Sequence, residues 1–323
     1  MRDKLIAITK KIKLYSLIKS LLDSRYLYHS LQGCITDPVT RKKFSRLEAS
    51  IYRKIGFKST PISQASLQII SSLESSGLVM NPISLDKFAS SLHDYVTTLS
   101  CHDPSNRSIP NFTYDTPPPG VKIGFVKCED LIYAPGLFDL VGSKALIDVA
   151  SGFFGAQCKV DYIGAWWSYP QDDKDASGQF EPDVTQLFHR DIDTLNALKF
   201  FIYLTDVNDE NGPHLVIPGS QNFKFKTFKD KKHSDDEVID FCNKNNLKLF
   251  RITGKKGSNF FEDVFNLHRG TTPVKGRRLI FEVIYSLTQT PFGPKAPFGD
   301  LSIIKKLNND VPQKKYFSNI IKY

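Results

Sequence analysis

No run of 18 apolar residues occurs in this 323-residue chain, which argues against a membrane-spanning helix. The apolar residues of 1–24 are broken by lysines throughout, so no signal peptide is predicted and the expected location is cytoplasmic. The sequons Asn106-Arg-Ser and Asn111-Phe-Thr are accordingly read as chance. Cysteine is scarce: Cys34, Cys101, Cys128, Cys158 and Cys242 are odd in number, scattered and nowhere spaced as Cys-x-x-Cys. That pattern predicts reduced thiols and no zinc site. Helix-turn-helix, zinc-finger and RNP patterns are missing, so nucleic acid is not an expected partner. Nor is there a nucleophile elbow or a Ser/Cys–His pairing to support hydrolysis.

What is abundant is positive charge. The net charge is +9, concentrated in pairs such as Lys10-Lys11, Lys231-Lys232, Lys255-Lys256 and Lys314-Lys315. Such charge raises the local concentration of anionic ligands without naming them. Residues 3–24 read as a basic amphipathic helix, with Leu5, Ile8, Ile12 and Tyr15 at helical spacing. Packing on its own domain is favoured over contact with a membrane surface.

Residues 41–104 read as mainly helical, and the proline-rich stretch 104–119 breaks the pattern. Beyond it the period changes. Strands are predicted at 121–126, 159–169, 200–204, 257–261 and 279–285, with one helix over 137–155. Short strands between Gly, Pro and Asn turns predict a mainly β jelly-roll, a double-stranded β-helix, behind a helical N-terminal extension. The expected division is a helical region 1–105, a catalytic domain 106–290 and a tail 291–323.

Chemistry is concentrated in Leu187-Phe188-His189-Arg190-Asp191 and, far downstream, in His268 followed by Arg277-Arg278. Residues i and i+2 of a strand face the same way, so His189 and Asp191 can grip one metal together. A distant His268 would complete two imidazoles and a carboxylate, the facial set of non-haem Fe(II). Arg190, between them, would point away from the metal, toward an anionic substrate or solvent. His214 is read as structural.

The order of segments strengthens this reading. His189-Arg190-Asp191 is followed by a strand 198–204, an acidic loop ending in Gly212-Pro213, the turn Val216-Ile-Pro-Gly-Ser220, then His268 and the paired arginines. Over about residues 120–290 the chain resembles the phytanoyl-CoA dioxygenase-like family of Fe(II)/2-oxoglutarate-dependent oxygenases. The segment Trp166-Trp167-Ser168 belongs to the resemblance. It implies that His189, Asp191 and His268 hold Fe(II), and that 2-oxoglutarate and O2 are consumed with release of succinate and CO2. It also implies that an arginine after the distal histidine binds the far carboxylate of 2-oxoglutarate. Strand register favours Arg277, which shares a face with Leu279 and Phe281; Arg278 and Lys199 stand as alternatives. Phe201 and Tyr203 would line the cosubstrate pocket, and Trp166 or Trp167 the substrate pocket. The insert 220–256 is expected to act as a lid. The expected reaction is hydroxylation of a small or lipid-like, anionic metabolite. The alternatives are a non-catalytic metal-binding jelly-roll and a protein side-chain hydroxylase.

Overall fold

The computed structural model describes residues 31–323 except 59–60, 171–186, 193, 226–232, 291–296 and 298. The helix expected at 3–24 lies outside the described residues. Helix α1 (Pro38–Lys54) starts where Asp37 accepts a hydrogen bond from the Thr40 amide at 2.9 Å, with Pro38 in the first turn. Helix α2 (Gln64–Ser76) is capped in the same way by Ser63 and buries Ile70 and Leu73. A strand, β1 (Leu78–Met80), interrupts the helical front before α3 (Asp86–Val96). The latter buries Ala89, Leu92 and Val96, one stripe of a helix.

Strands β2 (Cys101–His102) and β3 (Ile123–Val126) and the short α4 (Cys128–Leu131) follow. The single helix expected over 137–155 is two, α5 (Leu137–Val141) and α6 (Lys144–Phe154). The break has a packing cause. A Cβ on Gly142 would stand 2.8 Å from the Phe138 carbonyl oxygen and 2.9 Å from the Phe317 ring. Ser143 then restarts the helix by capping the Leu146 amide.

The remaining elements are β4 (Lys159–Ser168), β5 (Ala197–Tyr203), β6 (His214–Ile217), α7 (Asp235–Asn245), β7 (Phe250–Ile252), β8 (Asn259–Asp263), β9 (Leu267–Arg269) and β10 (Arg278–Ser286). At the C-terminal end come β11 (Gly299–Asp300), α8 (Leu301–Leu307), α9 (Lys314–Phe317) and β12 (Ile321–Lys322). Seven strands form one antiparallel sheet in the order β1-β8-β5-β10-β4-β3-β2, and three form a smaller sheet, β7-β6-β9. Two of the seven, β1 and β2, come from the N-terminal region, so that region supplies both edges of the large sheet.

Alternation along the strands divides the large sheet into two faces. Leu198, Phe200, Ile202, Phe261, Leu279, Phe281 and Val283 point outward, into the main core under α3, α5 and α6. The tail packs on this core through Phe317, whose ring meets Phe138 edge-on at 5.0 Å. Phe201, Tyr203, Phe260 and Ile280 point inward and meet Val216 and Ile252 of the small sheet. The two sheets thus enclose one interior, the jelly-roll expected. Helix α7 closes the outer side of the small sheet with Val238 and Phe241 over Leu215, Ile217 and Leu267.

Candidate metal centre

His189 and His268 face each other across two strand segments and exchange backbone hydrogen bonds, each 3.0 Å. The Asp191 amide donates to the Val264 carbonyl at 3.0 Å, which fixes the carboxylate beside both rings. Each histidine has its Nδ1 on the carbonyl two residues before it: Leu187 for His189 at 2.8 Å, Asn266 for His268 at 2.9 Å. A carbonyl only accepts, so both Nδ1 atoms carry a proton and each Nε2 is the ring atom turned toward Asp191. Those Nε2 atoms lie 3.6 Å from Asp191 Oδ1 and Oδ2 respectively. One donor atom from each residue falls within 4.8 Å of the others, the one such cluster among the described residues.

The interior of the large sheet opposes this cluster with charge. Lys199 Nζ stands 2.9 Å from Asp191 Oδ2 and 3.1 Å from Glu282 Oε2. Glu262, 1% exposed, approaches His214 Nε2 at 2.8 Å and His268 Nδ1 at 3.4 Å. Neither Glu262 oxygen receives a well-aligned hydrogen bond from a described residue, so these are close polar contacts of poor geometry. Burial alone would raise the Asp191 carboxyl, but Lys199 and then His268 hold it well below the ordinary range. Burial lowers the His189 imidazole to about 4. Burial also disfavours charge on His268, yet Glu262 and Asp191 outweigh it and raise that imidazole to about 9. The Lys199 ammonium resists burial in the same way, being raised by Asp191 and Glu282.

Asp191 and Glu282 share one ammonium, Lys199, while Glu262 stands against His214 and His268. The orphaned Glu262 oxygens and the two-imidazole, one-carboxylate donor set fit a divalent transition metal.

The cluster opens on a cavity of about 240 Å³. Its walls include Trp166 and Phe125, stacked 5.3 Å apart, with Phe201, Ile280, Ser168 and Thr271. Arg278 lines it and Arg277 does not, so the register that favoured Arg277 is corrected. The inward set on β10 is Arg278, Ile280 and Glu282, while Leu279 and Phe281 enter the outer core. Arg277 precedes the strand and donates to the Tyr114 carbonyl at 2.8 Å. Arg278 is 4% exposed and donates to the Gly212 carbonyl and to Ser168 Oγ. Its Nε has no partner among the described residues.

The other candidates divide similarly. Trp166 is on the cavity wall, whereas Trp167 is in the outer core, stacked on Tyr114 at 4.8 Å. Tyr203 does not line the cavity: its hydroxyl donates to the Ile252 carbonyl and accepts from the His214 amide, both 3.0 Å. Arg190, expected to meet an anionic substrate or solvent, does not line the cavity and donates to the Ser220 and Phe223 carbonyls. Its guanidinium and that of Arg41 each stand 4.5 Å from the Phe265 ring centre. No described residue of 220–256 lines the cavity; residues 226–232 of that insert lie outside the described residues.

Two interior carboxylates escaped the sequence reading, and His214, read as structural, stands beside them. His214 opens β6 and is a cavity residue 5.5 Å from the His268 ring. Glu262 and Glu282 each sit in an apolar strand, in Asn259-Phe-Phe-Glu-Asp263 and Leu279-Ile-Phe-Glu-Val283. A carboxylate at an inward position of such a strand was the available signal.

Comparison with known proteins bears on the fold. No protein-family model matches the chain, and no curated protein does. Among solved structures, EctD from S. alaskensis with 2-oxoglutarate and 5-hydroxyectoine superposes with a TM-score of 0.50 at 14% identity, over 82% of this chain and 90% of that one. Its apoform gives 0.49 at 16% identity, with the same coverage. The epimerase SnoN in complex with Fe3+, alpha ketoglutarate and nogalamycin RO gives 0.47 at 14% identity, over 77% and 90%. The jelly-roll architecture is thus shared with EctD across most of both chains. No described helix is long and apolar enough to cross a membrane.

Proposed function

We propose that this chain is a non-haem Fe(II)/2-oxoglutarate-dependent oxygenase acting on a small molecule, with hydroxylation as the reaction. The observation that carries this reading is the meeting, in one cavity, of the His189–Asp191–His268 donor set and the buried Arg278. His189, Asp191 and His268 would hold the iron, which with its cosubstrate and O2 supplies oxidation of an unactivated C–H bond, releasing succinate and CO2. EctD, which shares the fold, was solved with 2-oxoglutarate.

The protein's share of the work is binding, orientation and exclusion of water. Arg278 offers the far carboxylate of 2-oxoglutarate a fixed cation, oriented by Gly212 and Ser168. Lys199 is already engaged by two carboxylates, so it serves this purpose less well. Trp166 and Phe125 give the substrate a flat apolar wall, and the positive excess of the chain favours an anionic one.

Anaerobic visible absorption tests the reading. Adding 2-oxoglutarate to the Fe(II)-loaded protein is expected to produce a weak charge-transfer band, absent in His189→Ala. Tight iron binding with no band on adding 2-oxoglutarate would favour a non-catalytic metal-binding jelly-roll.

A further inference from the structure

Glu262 belongs to no expected ligand set, yet it is the most buried carboxylate beside the metal cluster. It is 1% exposed and touches His214 at 2.8 Å and His268 at 3.4 Å. The proton on His268 Nδ1 goes to the Asn266 carbonyl at 2.9 Å, so Glu262 is not needed to set the tautomer. Around it the inner wall is aromatic: Phe201 and Phe260 stack on each other 4.8 Å apart, and both flank His214. An ionised carboxylate in such surroundings, without aligned donors, is costly unless a cation stands close by. Lys199 is its cross-strand partner in the β5–β8 register, but the ammonium reaches toward Asp191 and Glu282 instead.

We infer that Glu262 is a positioning residue for the metal, a buried counter-charge behind His268 that strengthens this imidazole as a donor through Nε2 and so sets metal affinity. The inference rests on the proposed metal site and adds a residue to it. Glu262 touches neither metal nor substrate; it acts through His268, with His214 closing its other side. Outer partners of metal-bound histidines commonly set affinity by about 10- to 100-fold.

Glu262→Gln keeps the volume and removes the charge. Two readouts are taken on purified protein: Co(II) affinity by titration of the visible d–d bands, and the melting temperature of the metal-free protein. The expected result is Co(II) affinity weaker by about 10-fold or more, with metal-free melting unchanged or raised. A residue needed only for packing would give the reverse, lower melting with unchanged affinity in the folded fraction, and that outcome overturns the inference. Should the glutamine variant not fold, Glu262→Met replaces the charge by an apolar chain of similar length, and the same affinity comparison decides. Failure of the wild-type protein to bind Co(II) would instead remove the metal-site reading beneath.

Discussion

Arg278 and Ser168 stand directly opposite each other in the antiparallel pair of β10 and β4, and the guanidinium Nη2 donates to the serine Oγ at 3.1 Å. Its other terminal nitrogen donates to the Gly212 carbonyl. Both supports are local and buried, so the guanidinium is held in place before any ligand arrives.

Arg278→Ala is therefore expected to weaken 2-oxoglutarate binding by about 10- to 100-fold, the loss of charge-assisted hydrogen bonds of about 1.5–3 kcal/mol. Arg277→Ala is expected to leave that affinity unchanged, since its side chain is spent on Tyr114 outside the cavity. Titration of the charge-transfer band with 2-oxoglutarate measures both. Equal losses in the two variants would contradict the assignment.

Gly212 supports the same arginine through backbone geometry. Its φ is +77°, and an added Cβ would stand 2.5 Å from the Thr271 carbonyl oxygen and 2.7 Å from the Pro273 nitrogen. Gly212→Ala is expected to cost at least about 2 kcal/mol of stability. Binding of 2-oxoglutarate should weaken as well, because the carbonyl holding Arg278 must move. Denaturant melts together with ligand titration would show whether the two effects come together.

The metal donors give an all-or-none expectation. His189→Ala, Asp191→Ala and His268→Ala should each abolish stoichiometric Fe(II) or Co(II) binding, as removal of one donor from a three-residue set leaves too few. Retained binding in Asp191→Ala would point to Glu282 or Glu262 as a substitute carboxylate.

Asp263 provides a pH dependence of stability. Burial raises its carboxyl to about 6 from the ordinary 3.8, although the Phe265 amide and Arg41 pull the other way. The folded chain thus keeps a proton between pH 4 and 6 that the unfolded chain has lost. Stability falls as pH rises through this window, and the cost is complete above about pH 6. Asp263→Asn retains an acceptor for the Phe265 amide and is expected to gain about 1–3 kcal/mol at pH 8 and nothing at pH 4. Melts at the two pH values measure the difference, and an equal effect at both would refute it.

The two adjacent tryptophans should behave differently. Trp167→Ala is expected to cost about 3–5 kcal/mol, as for a large aromatic removed from a core. Trp166→Ala enlarges a cavity that already exists, so the expected effect is mainly on substrate affinity, read from the dependence of succinate release on substrate concentration.

The strands were legible because alternation and β-branched runs are local properties, as in 159–169 and 279–285. His189 and Asp191 were legible for the same reason: the spacing of two is itself a statement about which way side chains point. The register of Arg277 and Arg278 was not, because β10 is apolar on both faces, Leu279 and Phe281 on one and Ile280 on the other, and alternation alone does not say which face meets the small sheet. Glu262 and Glu282 stayed hidden because what identifies them is the opposite sheet. A carboxylate in an apolar strand gains meaning only when His268 or Lys199 arrives from elsewhere in the chain. Strand β1 was missed since three residues carry no period, and its pairing with β8 is set by partners far away in sequence.

The sandwich of Phe265 between Arg41 and Arg190 has a mechanical meaning. Arg190 lies between His189 and Asp191, so the segment carrying two donors is gripped from behind by an aromatic ring that helix α1 also holds. Arg41 further ties the helix to carbonyls at Ile35 and Thr194. Helix α1 and the segment carrying His189 and Asp191 are thus linked in series. Helix α1 acts as a brace, and a force applied to it would be felt at the proposed metal centre.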